Sequence, residues 1–521
     1  MSSILRCALL LILCAFVSLC EIIAAPEIRH FAPHAVVPGR TTILTFSGSD
    51  LAQASNLWTS FGGKAHRVPN TNENLISFAV TCPPDIHGVH ALQLIGAEGA
   101  SNFQLILADG LRTEPHHDNH QSPSTDLRIK PPVAVDCMLK SEKIDYYTFT
   151  ANAGERYAIE AIAHRIGSQM DPVVRVLDAQ GEELAYCDDG GGVWKDARFE
   201  FTAPSAGEYT LAVHDIGYGG GNAFDYRLRV SHDPLVWFTF LVDAAEDGAT
   251  FEQVGAGIKP AVFGSPVNPS PAPTLSAVPQ IAELEPNDSV STALPVNPPI
   301  LLHGRVSNGS DIDHFQFRAR KDQKLIFQSQ TRSLGSPCDL VLRIKKEDGA
   351  TLAQSELGNS ADAALTNKFA EPATYHLEVR ELSGNASPNV PYRIHIREFT
   401  PGFTLASEKN VLNIKAGQST KLKVTARRFD YDGLIKLEFR PELSGVTIEN
   451  ATIAEKKNEI ELTLKASESA APGSFQHARL VATNPAHPTQ VTTAPALRDA
   501  FPLMLNPPSM LDGLFVISTT K

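Results

Sequence analysis

The sequence has few cysteines and no CxxC pair. Seven Cys occur in 521 residues, and three of them fall within the first 20 residues. The others are Cys82, Cys137, Cys187 and Cys338. They are too few and too widely spaced for a fold stabilised mainly by disulfides, and without a CxxC pair a structural zinc site is not expected. Only Cys137 and Cys187 are expected to share a domain, and the sequence leaves open whether they form a disulfide or remain separate thiols.

Motifs of the common catalytic folds are also missing. The sequence contains no HExxH, GxSxG, P-loop or GxGxxG segment, so it gives no support for a zinc protease, an α/β-hydrolase or a nucleotide-binding enzyme. The formal net charge of −13 argues against a nucleic-acid partner, because such proteins concentrate Lys and Arg on one surface. Trp and Met number only three and five, whereas Pro and Gly number 36 and 35. This composition favours many short strands and turns over long helices.

Apolar runs of membrane-spanning length are absent after the N-terminus. Residues 1–25 contain one early arginine, then an apolar run over residues 8–19, then small residues. This is the layout of a secretory signal peptide, and cleavage is expected after Ala24 rather than Ala25 because Pro26 follows. We therefore expect a secreted protein of the periplasm or cell surface of a bacterium, with no membrane insertion after signal cleavage.

One phrase occurs twice in the sequence. Residues 144–151 read IDYYTFTA, and residues 312–319 read IDHFQFRA. Further matches continue this register and then shift by two residues, which a short deletion in a loop explains. The matching pairs include Asp145/Asp313, Phe149/Phe317, Ser168/Ser336, Asp171/Asp339, Arg175/Arg343, Tyr209/Tyr375 and Tyr226/Tyr392. Self-similarity over roughly 90 residues indicates a duplicated domain.

Apolar residues alternate with polar ones within each copy. Tyr147, Phe149 and Ala151 are separated by threonines, and the segments YTLAV at 209–213 and YHLEV at 375–379 alternate in the same way. A period of two between Gly and Asp turns predicts the short strands of an antiparallel β-sandwich. Each copy is therefore expected to form one sandwich in an all-β protein.

Both copies resemble the bacterial pre-peptidase C-terminal (PPC) domain. In the first copy the resemblance rests on KIDYYTFTANAGERYAIEA, GSQMDPVVRVLDAQGEELAYCDDGG and APSAGEYTLAV. In the second copy it rests on EPNDSVSTALPV, GSDIDHFQFRA and GSPCDLVLRI. The resemblance implies two jelly-roll-like sandwiches, at residues 128–232 and 283–398, similar to the collagen-binding modules of clostridial collagenases. The implied role is non-catalytic attachment or assistance in folding.

The segments outside the two copies are expected to form two more domains and two linkers. Residues 26–110 run from a proline-led start through SGSDL to GAEGASN before a final strand, and they resemble an IPT/TIG immunoglobulin-like domain. Residues 399–521 alternate cleanly, as in LNIKAGQSTKLKVTARR, and predict another immunoglobulin-like β-sandwich. Residues 111–127 are polar and turn-rich, residues 233–282 are rich in proline, and both are predicted to be linkers. The expected architecture is four tandem β-sandwich modules.

The segment ELEPND, residues 283–288, is the strongest candidate binding site. It places carboxylate and amide oxygens close together, and calcium prefers six to eight oxygen ligands. The segment resembles the calcium-binding linker of collagenase collagen-binding modules, which implies a calcium site completed by Asp311 or Asp313. The candidate ligands are Glu283, Glu285, Asn287, Asp288, Asp311 and Asp313. An acidic linker with an Asx turn at Asn287 is the alternative.

The first copy lacks the paired glutamates and offers weaker candidates. Asp188, Asp189 and Asp196 flank three glycines and predict either a second calcium site or a long acidic loop. The tract HHDNH, residues 116–120, has ligands for a transition metal, although a solvated linker explains the same composition. The segment HFAPH, residues 30–34, cannot form a zinc-binding helix because a proline interrupts it.

These features predict a secreted, non-catalytic protein that is stabilised by calcium and binds an extracellular polysaccharide or protein. Two copies on one chain would raise the apparent affinity for a polymer through effective concentration. A secreted peptidase or glycosidase, or an accessory subunit of one, is the alternative, since the PPC resemblance implies association with secreted enzymes. Every segment long enough to fold resembles a small sandwich, which leaves no room for a separate catalytic domain and favours the first hypothesis.

Overall fold

The computed structural model contains only β-strands and short 3-10 turns in the residues that it describes. These are residues 24–70, 72, 75–114, 120–190, 193, 195–233, 238–245, 248–254, 278–331, 336, 338–355, 362–382, 390–484, 487–491, 511 and 513–521. Almost all of the predicted signal peptide and most of the HHDNH tract lie outside them. No helix in the described part is long and apolar enough to cross a membrane. The predicted all-β fold of tandem sandwich modules is confirmed.

The N-terminal domain consists of two facing sheets. Its strands are β1 Glu27–Ala32, β2 Ala35–Val36, β3 Thr41–Ser49, β4 Ala54–Thr59, β5 Lys64–Val68, β6 Leu75–Thr81, β7 Gly88–Gly96, β8 Gly99–Ala100 and β9 Gln104–Ala108. One sheet has the order β1-β3-β6-β5 and the other β2-β9-β7-β4, with β8 paired to β7. Phe46, Phe78 and Leu94 are fully buried between the sheets, and burial of each such side chain contributes roughly 1.5–3 kcal/mol. A 3-10 turn, Leu51–Gln53, leads into β4.

The first repeat is a ten-strand sandwich. Its strands are β10 Thr113–Glu114, β11 Leu127–Arg128, β12 Val133–Met138, β13 Asp145–Ala151, β14 Arg156–Ile162, β15 Pro172–Leu177, β16 Glu183–Cys187, β17 Ala197–Thr202, β18 Gly207–Asp215 and β19 Asp225–Ser231. The sheets have the orders β10-β12-β19-β14-β17 and β11-β13-β18-β15-β16. Tyr147 and Phe149, from the repeated phrase, point into the core between them. Short 3-10 turns lie at Pro123–Thr125 and His164–Ile166.

The second repeat has the same arrangement of strands. They are β22 Gln280–Ala282, β23 Leu294–Pro295, β24 Ile300–Val306, β25 Ile312–Ala319, β26 Lys324–Gln330, β27 Leu340–Lys346, β28 Thr351–Gln354, β29 Ala364–Lys368, β30 Ala373–Glu381 and β31 Val390–Glu398. The sheet orders are β22-β24-β31-β26-β29 and β23-β25-β30-β27-β28, so each strand has a counterpart in the first repeat. Phe315 and Phe317 occupy the core, and a 3-10 turn lies at Val290–Thr292.

The predicted linker at residues 233–282 contains a two-stranded antiparallel hairpin. Its strands are β20, Phe238–Ala245, and β21, Gly248–Val254. The sequence analysis predicted a proline-rich linker here and did not include these two strands. The sequence there reads FTFLVDAA, EDG and ATFEQV, and two strand-forming runs on either side of an Asp-Gly pair are a hairpin signal.

The C-terminal domain is a sandwich of ten strands. They are β32 Gly402–Ser407, β33 Val411–Lys415, β34 Ser419–Phe429, β35 Ile435–Arg440, β36 Val446–Glu449, β37 Thr452–Ile453, β38 Glu459–Ala466, β39 Phe475–Asn484, β40 His487–Val491 and β41 Leu514–Thr520. The sheets have the orders β32-β34-β38-β36 and β33-β41-β39-β35-β37, with β40 paired to β39. The last strand inserts between β33 and β39, so the chain end is part of the sheet.

The N-terminal and C-terminal domains pack against each other. Trp58 stacks on His477 with ring centroids 4.0 Å apart. Asn413 Oδ1 accepts a hydrogen bond from the Ala100 amide at 3.1 Å. Apolar side chains from both domains form one buried cluster around Ile95 and Val516. Domains that are far apart in sequence are therefore neighbours in space.

Candidate metal centre

The segment ELEPND follows β22 and lies against the start of β25. Asn287 is fully buried, and its backbone carbonyl accepts a hydrogen bond from the His314 amide at 3.0 Å. Glu285 accepts a hydrogen bond from the Asn287 amide at 2.8 Å. These bonds fold the segment back so that its side chains face Asp313, which is buried near the start of β25.

Acidic side chains from this segment and from the residues around the start of β25 meet at one point. Carboxylate oxygens of Glu285, Asp311 and Asp313 lie within 4.8 Å of one another. The Asn287 amide reaches the same place, with one terminal atom 2.9 Å from Asp313 Oδ1 and 3.3 Å from Glu285 Oε2. If that atom is the nitrogen, it donates to both carboxylates. If it is the oxygen, either a proton on a carboxyl group or a cation must lie between the facing oxygens.

Glu283 joins the group through a shared tyrosine. Tyr392 Oη donates to Asp313 Oδ2 at 2.6 Å and lies 3.1 Å from Glu283 Oε2. Gly304 packs against this pair, and a Cβ atom there would lie 2.1 Å from Tyr392 Cζ and 2.5 Å from Glu283 Oε2. Any larger residue at position 304 would displace the tyrosine or the carboxylate.

The electrostatics of the group favour a cation. Burial first, and then the charges of neighbouring carboxylates, raise the pKa of Glu283 to about 8 and the pKa of Asp313 to about 9. Hydrogen bonds act in the opposite direction without offsetting the increase in pKa: those from the Arg305 amide and Tyr392 for Glu283, and that from Tyr392 for Asp313. Such carboxyl groups hold protons at neutral pH, and a divalent cation can take the place of those protons.

The structure brings five of the six predicted ligands together. We call this set the oxygen cluster: Glu283, Glu285, Asn287, Asp311 and Asp313. Asp288 is exposed, and its charge acts on His314. Asp288 is not among the carboxylates that lie within 4.8 Å of one another, and its role as a ligand stays a prediction. Sequence reasoning missed Tyr392 and Gly304, although the match of Tyr226 with Tyr392 was a signal for the tyrosine.

The first repeat carries different side chains at the equivalent position. Asp145 accepts a hydrogen bond from Tyr226 Oη at 2.8 Å, as Asp313 does from its tyrosine. Cys137 lies opposite Tyr226 in the strand register, where the second repeat has its glycine. The Cys137 Sγ atom lies 3.4 Å from Asp145 Oδ2 and 3.8 Å from His120 Nε2. A thiol and an imidazole thus fill the space of the carboxylates, and this position does not have the oxygen-rich ligand set that calcium prefers.

The cysteines of the first repeat are separate thiols. Cys137 and Cys187 are both thiols and are not joined in a disulfide. Cys187 Sγ accepts a hydrogen bond from the Arg198 amide at 3.4 Å, while burial raises the pKa of the Cys137 thiol. The alternative of a Cys137–Cys187 disulfide is excluded because each sulfur has a different neighbour.

The weaker calcium site predicted in the first repeat is not supported. Asp196 is fully buried and accepts hydrogen bonds from the Ala163 and His164 amides and from Arg165 Nε, the last at 2.6 Å. Asp188 instead accepts a hydrogen bond from Tyr186, and Asp189 is exposed. Because Arg165 and backbone amides already use the Asp196 carboxylate, Asp188, Asp189 and Asp196 do not form one ligand set.

A row of side chains crosses the outer face of one sheet of the first repeat. Tyr146, Ala212, Arg175 and Tyr186 lie side by side on β13, β18, β15 and β16. Tyr186 is 51% exposed. Beside the row, Tyr218 stacks on His214 with ring centroids 4.8 Å apart. We call Tyr146, Ala212, Arg175 and Tyr186 the tyrosine row.

The second repeat has a polar set in the same register. The equivalent residues are His314, Glu378, Arg343 and Gln354. Arg343 and Lys345 both form ion pairs with Glu378. The two repeats therefore share a fold but present different outer faces, and the tyrosines belong to the first repeat.

Comparison with known proteins gives a match inside the first repeat. Residues 143–215 match the model of the bacterial pre-peptidase C-terminal domain. The chain carries a PPC domain. The matched residues extend from just before Asp145 to the end of β18, so they include the whole tyrosine row and exclude His120, Cys137 and Tyr226.

Individual relatives resemble the PPC domain or the chain only in part. A probable subtilase-type serine protease of Deinococcus radiodurans is 35% identical over 75 residues, which is 14% of this chain and 10% of that protein. The pre-peptidase C-terminal domain of a Bacillus anthracis collagenase is 13% identical, with 20% of this chain and 94% of that chain covered and a TM-score of 0.18. A Bacteroides ovatus SGBP-B from a mixed-linkage glucan utilization locus is 10% identical, with coverage of 71% and 74% and a TM-score of 0.17. Structural similarity this low places no constraint on function.

Proposed function

We propose that the protein is a secreted, non-catalytic bacterial protein of the periplasm or cell surface, whose PPC domain binds an extracellular polymer, either a polysaccharide or a protein. The observation that carries the proposal is the tyrosine row. Tyr and Arg are enriched at the centres of binding surfaces, and they are prominent among the residues that dominate binding energy. The second repeat does not have the two tyrosines of this row, which favours contact with the polymer through the first repeat.

The shape of the tyrosine row suits an extended ligand. Tyr146 and Tyr186 lie three strand spacings apart, which corresponds to roughly 14 Å across the sheet. The exposed rings of Tyr186 and Tyr218 offer aromatic faces along one side, and Tyr218 is supported from beneath by the buried ring of His214. A chain of repeating units can contact several such faces at once, whereas a small molecule would be held by a pocket.

We further propose that the second repeat is a second PPC domain and that calcium binds its oxygen cluster. The same order of ten strands and the repeated Asp–Tyr pair support the first statement. Convergence of the carboxylate oxygens and the raised pKa values of Glu283 and Asp313 support the second. Calcium would hold the segment ELEPND against β25 and so stabilise the repeat.

The binding proposal is tested by retention of the full-length protein on immobilised chitin, sulfated polysaccharide and collagen. Replacement of Tyr146 and Tyr186 by Ala should lower the affinity for the polymer that is bound by at least about tenfold, since central tyrosines typically contribute more than 1 kcal/mol. The matched control replaces His314 and Gln354 by Ala at the equivalent positions of the second repeat. Equal losses in the two double variants would contradict a contact through the PPC domain.

A hydrolase, or an accessory subunit of one, is the second candidate. It is favoured by the relative whose printed name is a probable serine protease, although the match covers 10% of that protein. Release of peptides or reducing ends from the bound polymer would support this candidate. Retention of intact polymer without such release supports the binding protein.

A further inference from the structure

The N-terminal domain and the PPC domain share a buried polar interface. Arg227 of β19 is fully buried and donates through Nε to Asp109 Oδ2 at 2.9 Å and through Nη1 to Asp136 Oδ1 at 2.7 Å. Arg229 Nε donates to the same Asp109 oxygen at 3.1 Å. Since Asp109 follows the last strand of the N-terminal domain, these bonds fix the two domains relative to each other.

Two histidines and an aspartate meet at the edge of this interface. His30 lies in β1, His34 directly precedes β2, and Asp225 is the first residue of β19. The distances to Asp225 Oδ1 are 3.2 Å from His30 Nδ1 and 3.3 Å from His34 Nε2. This oxygen is buried and has no hydrogen-bond partner among the described residues. His30 Nδ1 also forms a hydrogen bond with the other oxygen, Asp225 Oδ2, at 3.4 Å. Ligand atoms of all three residues lie within 4.8 Å of one another, so the two rings converge on one carboxylate.

The distances agree with those of a metal-ligand set. Bonds of ~2.0–2.1 Å in a tetrahedral zinc site place neighbouring nitrogen and oxygen ligands roughly 3.3 Å apart. We propose that His30, His34 and Asp225 bind a divalent transition metal of the zinc type, which joins the N-terminal domain to the PPC domain. Imidazole nitrogens select such metals over calcium, which prefers oxygen.

The surroundings of the three residues are those of a built site. The His34 side chain is 6% exposed, and its backbone amide donates to Asp136 Oδ2 at 3.1 Å, so its position is fixed by the interface. The nearby positive charge of Arg227 is already matched by Asp109 and Asp136. The His30 side chain is 28% exposed, which leaves a path for the metal and room for a water molecule as fourth ligand.

The test is titration of the full-length protein with Co²⁺, followed by displacement with Zn²⁺. His116, His117 and His120 are replaced by Ala in every protein tested, which removes all three histidines of the HHDNH tract. We expect one Co²⁺ per chain, with the visible absorption of a four-coordinate site. His30→Ala should weaken binding at least tenfold, whereas the control His66→Ala, at an exposed histidine of the same domain, should leave it unchanged.

Two further variants keep the outcome decisive. Asp225→Asn removes the central ligand from the PPC side and should abolish the absorption, while circular dichroism checks that the variant is folded. Glu285→Gln alters only the oxygen cluster and should leave Co²⁺ binding unchanged. Absence of the absorption band, or equal binding by the parent and His30→Ala, would show that His30 and His34 form only an ion pair with Asp225.

Discussion

At the scale of single residues, the equivalent aspartates of the two repeats have different neighbours. Asp313 and Asp145 both accept a hydrogen bond from a tyrosine of the last strand of their repeat. In the second repeat, Asp313 faces other carboxylates, and in the first repeat Asp145 faces a thiol and an imidazole. The repeated aspartate is therefore part of the framework of both repeats, and its neighbours differ between them.

Stabilisation of the protein by calcium should depend on pH. The folded pKa values of Glu283 and Asp313, about 8 and about 9, lie above the ordinary values of 4.5 and 3.8. Without calcium, protonation of these two groups makes its full contribution to the free energy of unfolding below about pH 4. That contribution is lost as the pH rises through 8 and 9. Calcium would take the place of these protons, so the stabilisation by calcium should increase as the pH rises over the same range.

Calorimetric unfolding of the full-length protein at pH 5 and pH 8, with chelator or with a few millimolar calcium, measures this dependence. For a dissociation constant of ~0.1–1 mM, we expect stabilisation by about 1–2 kcal/mol at pH 8, or a few degrees in Tm, and a smaller shift at pH 5. Equal shifts at both pH values would contradict the raised pKa values.

Gly304→Ala should damage the oxygen cluster through steric overlap. The added Cβ atom would lie 2.1 Å from Tyr392 Cζ and 2.5 Å from Glu283 Oε2. We expect a loss of about 1–3 kcal/mol in stability together with weaker calcium binding. The matched control is Gly207→Ala, where an added Cβ meets nothing within 4 Å. An unchanged calcium affinity in Gly304→Ala would show that Glu283 is not part of the site.

At the scale of structural elements, alternation of apolar residues predicted the sandwiches, and the repeated phrase predicted their common strand order. Local patterns suffice here because strands with one buried face must alternate. The hairpin formed by β20 and β21 was not predicted, because its residues were assigned to the same linker as the proline-rich segment that follows them. The His120–Cys137 contact and the place of Gly304 could not be predicted, since they depend on strands that are distant in sequence and become neighbours only through the register.

The tyrosine of the YTLAV and YHLEV strands should stabilise both repeats in the same way. Tyr209 Oη donates to the Ser205 carbonyl at 2.7 Å, and Tyr375 Oη donates to the Glu371 carbonyl at 3.0 Å. Tyr209→Phe and Tyr375→Phe should each lower stability by roughly 0.5–1.5 kcal/mol, because one hydrogen bond is lost while the ring stays packed. Chemical denaturation measures the losses, with the exposed Tyr186→Phe as control. A loss in only one repeat would contradict an equivalent role.

At the scale of the whole molecule, the N-terminal domain lies between the PPC domain and the C-terminal domain. It contacts the former through Asp109 and Arg227, and the latter through Trp58 and His477. The second repeat meets the C-terminal domain, where Lys324 pairs with Asp430. The sequence predicted four sandwiches in a row but not this order in space, because contacts between residues several hundred positions apart leave no local pattern.

The central claim is that the duplicated sandwiches have separate roles: the second repeat binds calcium, and the first repeat contacts the polymer. The most direct measurement is a calorimetric calcium titration of the full-length protein with Glu285→Gln and Asp288→Asn as matched variants. We expect one calcium ion per chain, lost in Glu285→Gln and retained in Asp288→Asn, because Asp288 lies outside the oxygen cluster. Two ions per chain, or binding that survives in Glu285→Gln, would contradict the separation of roles.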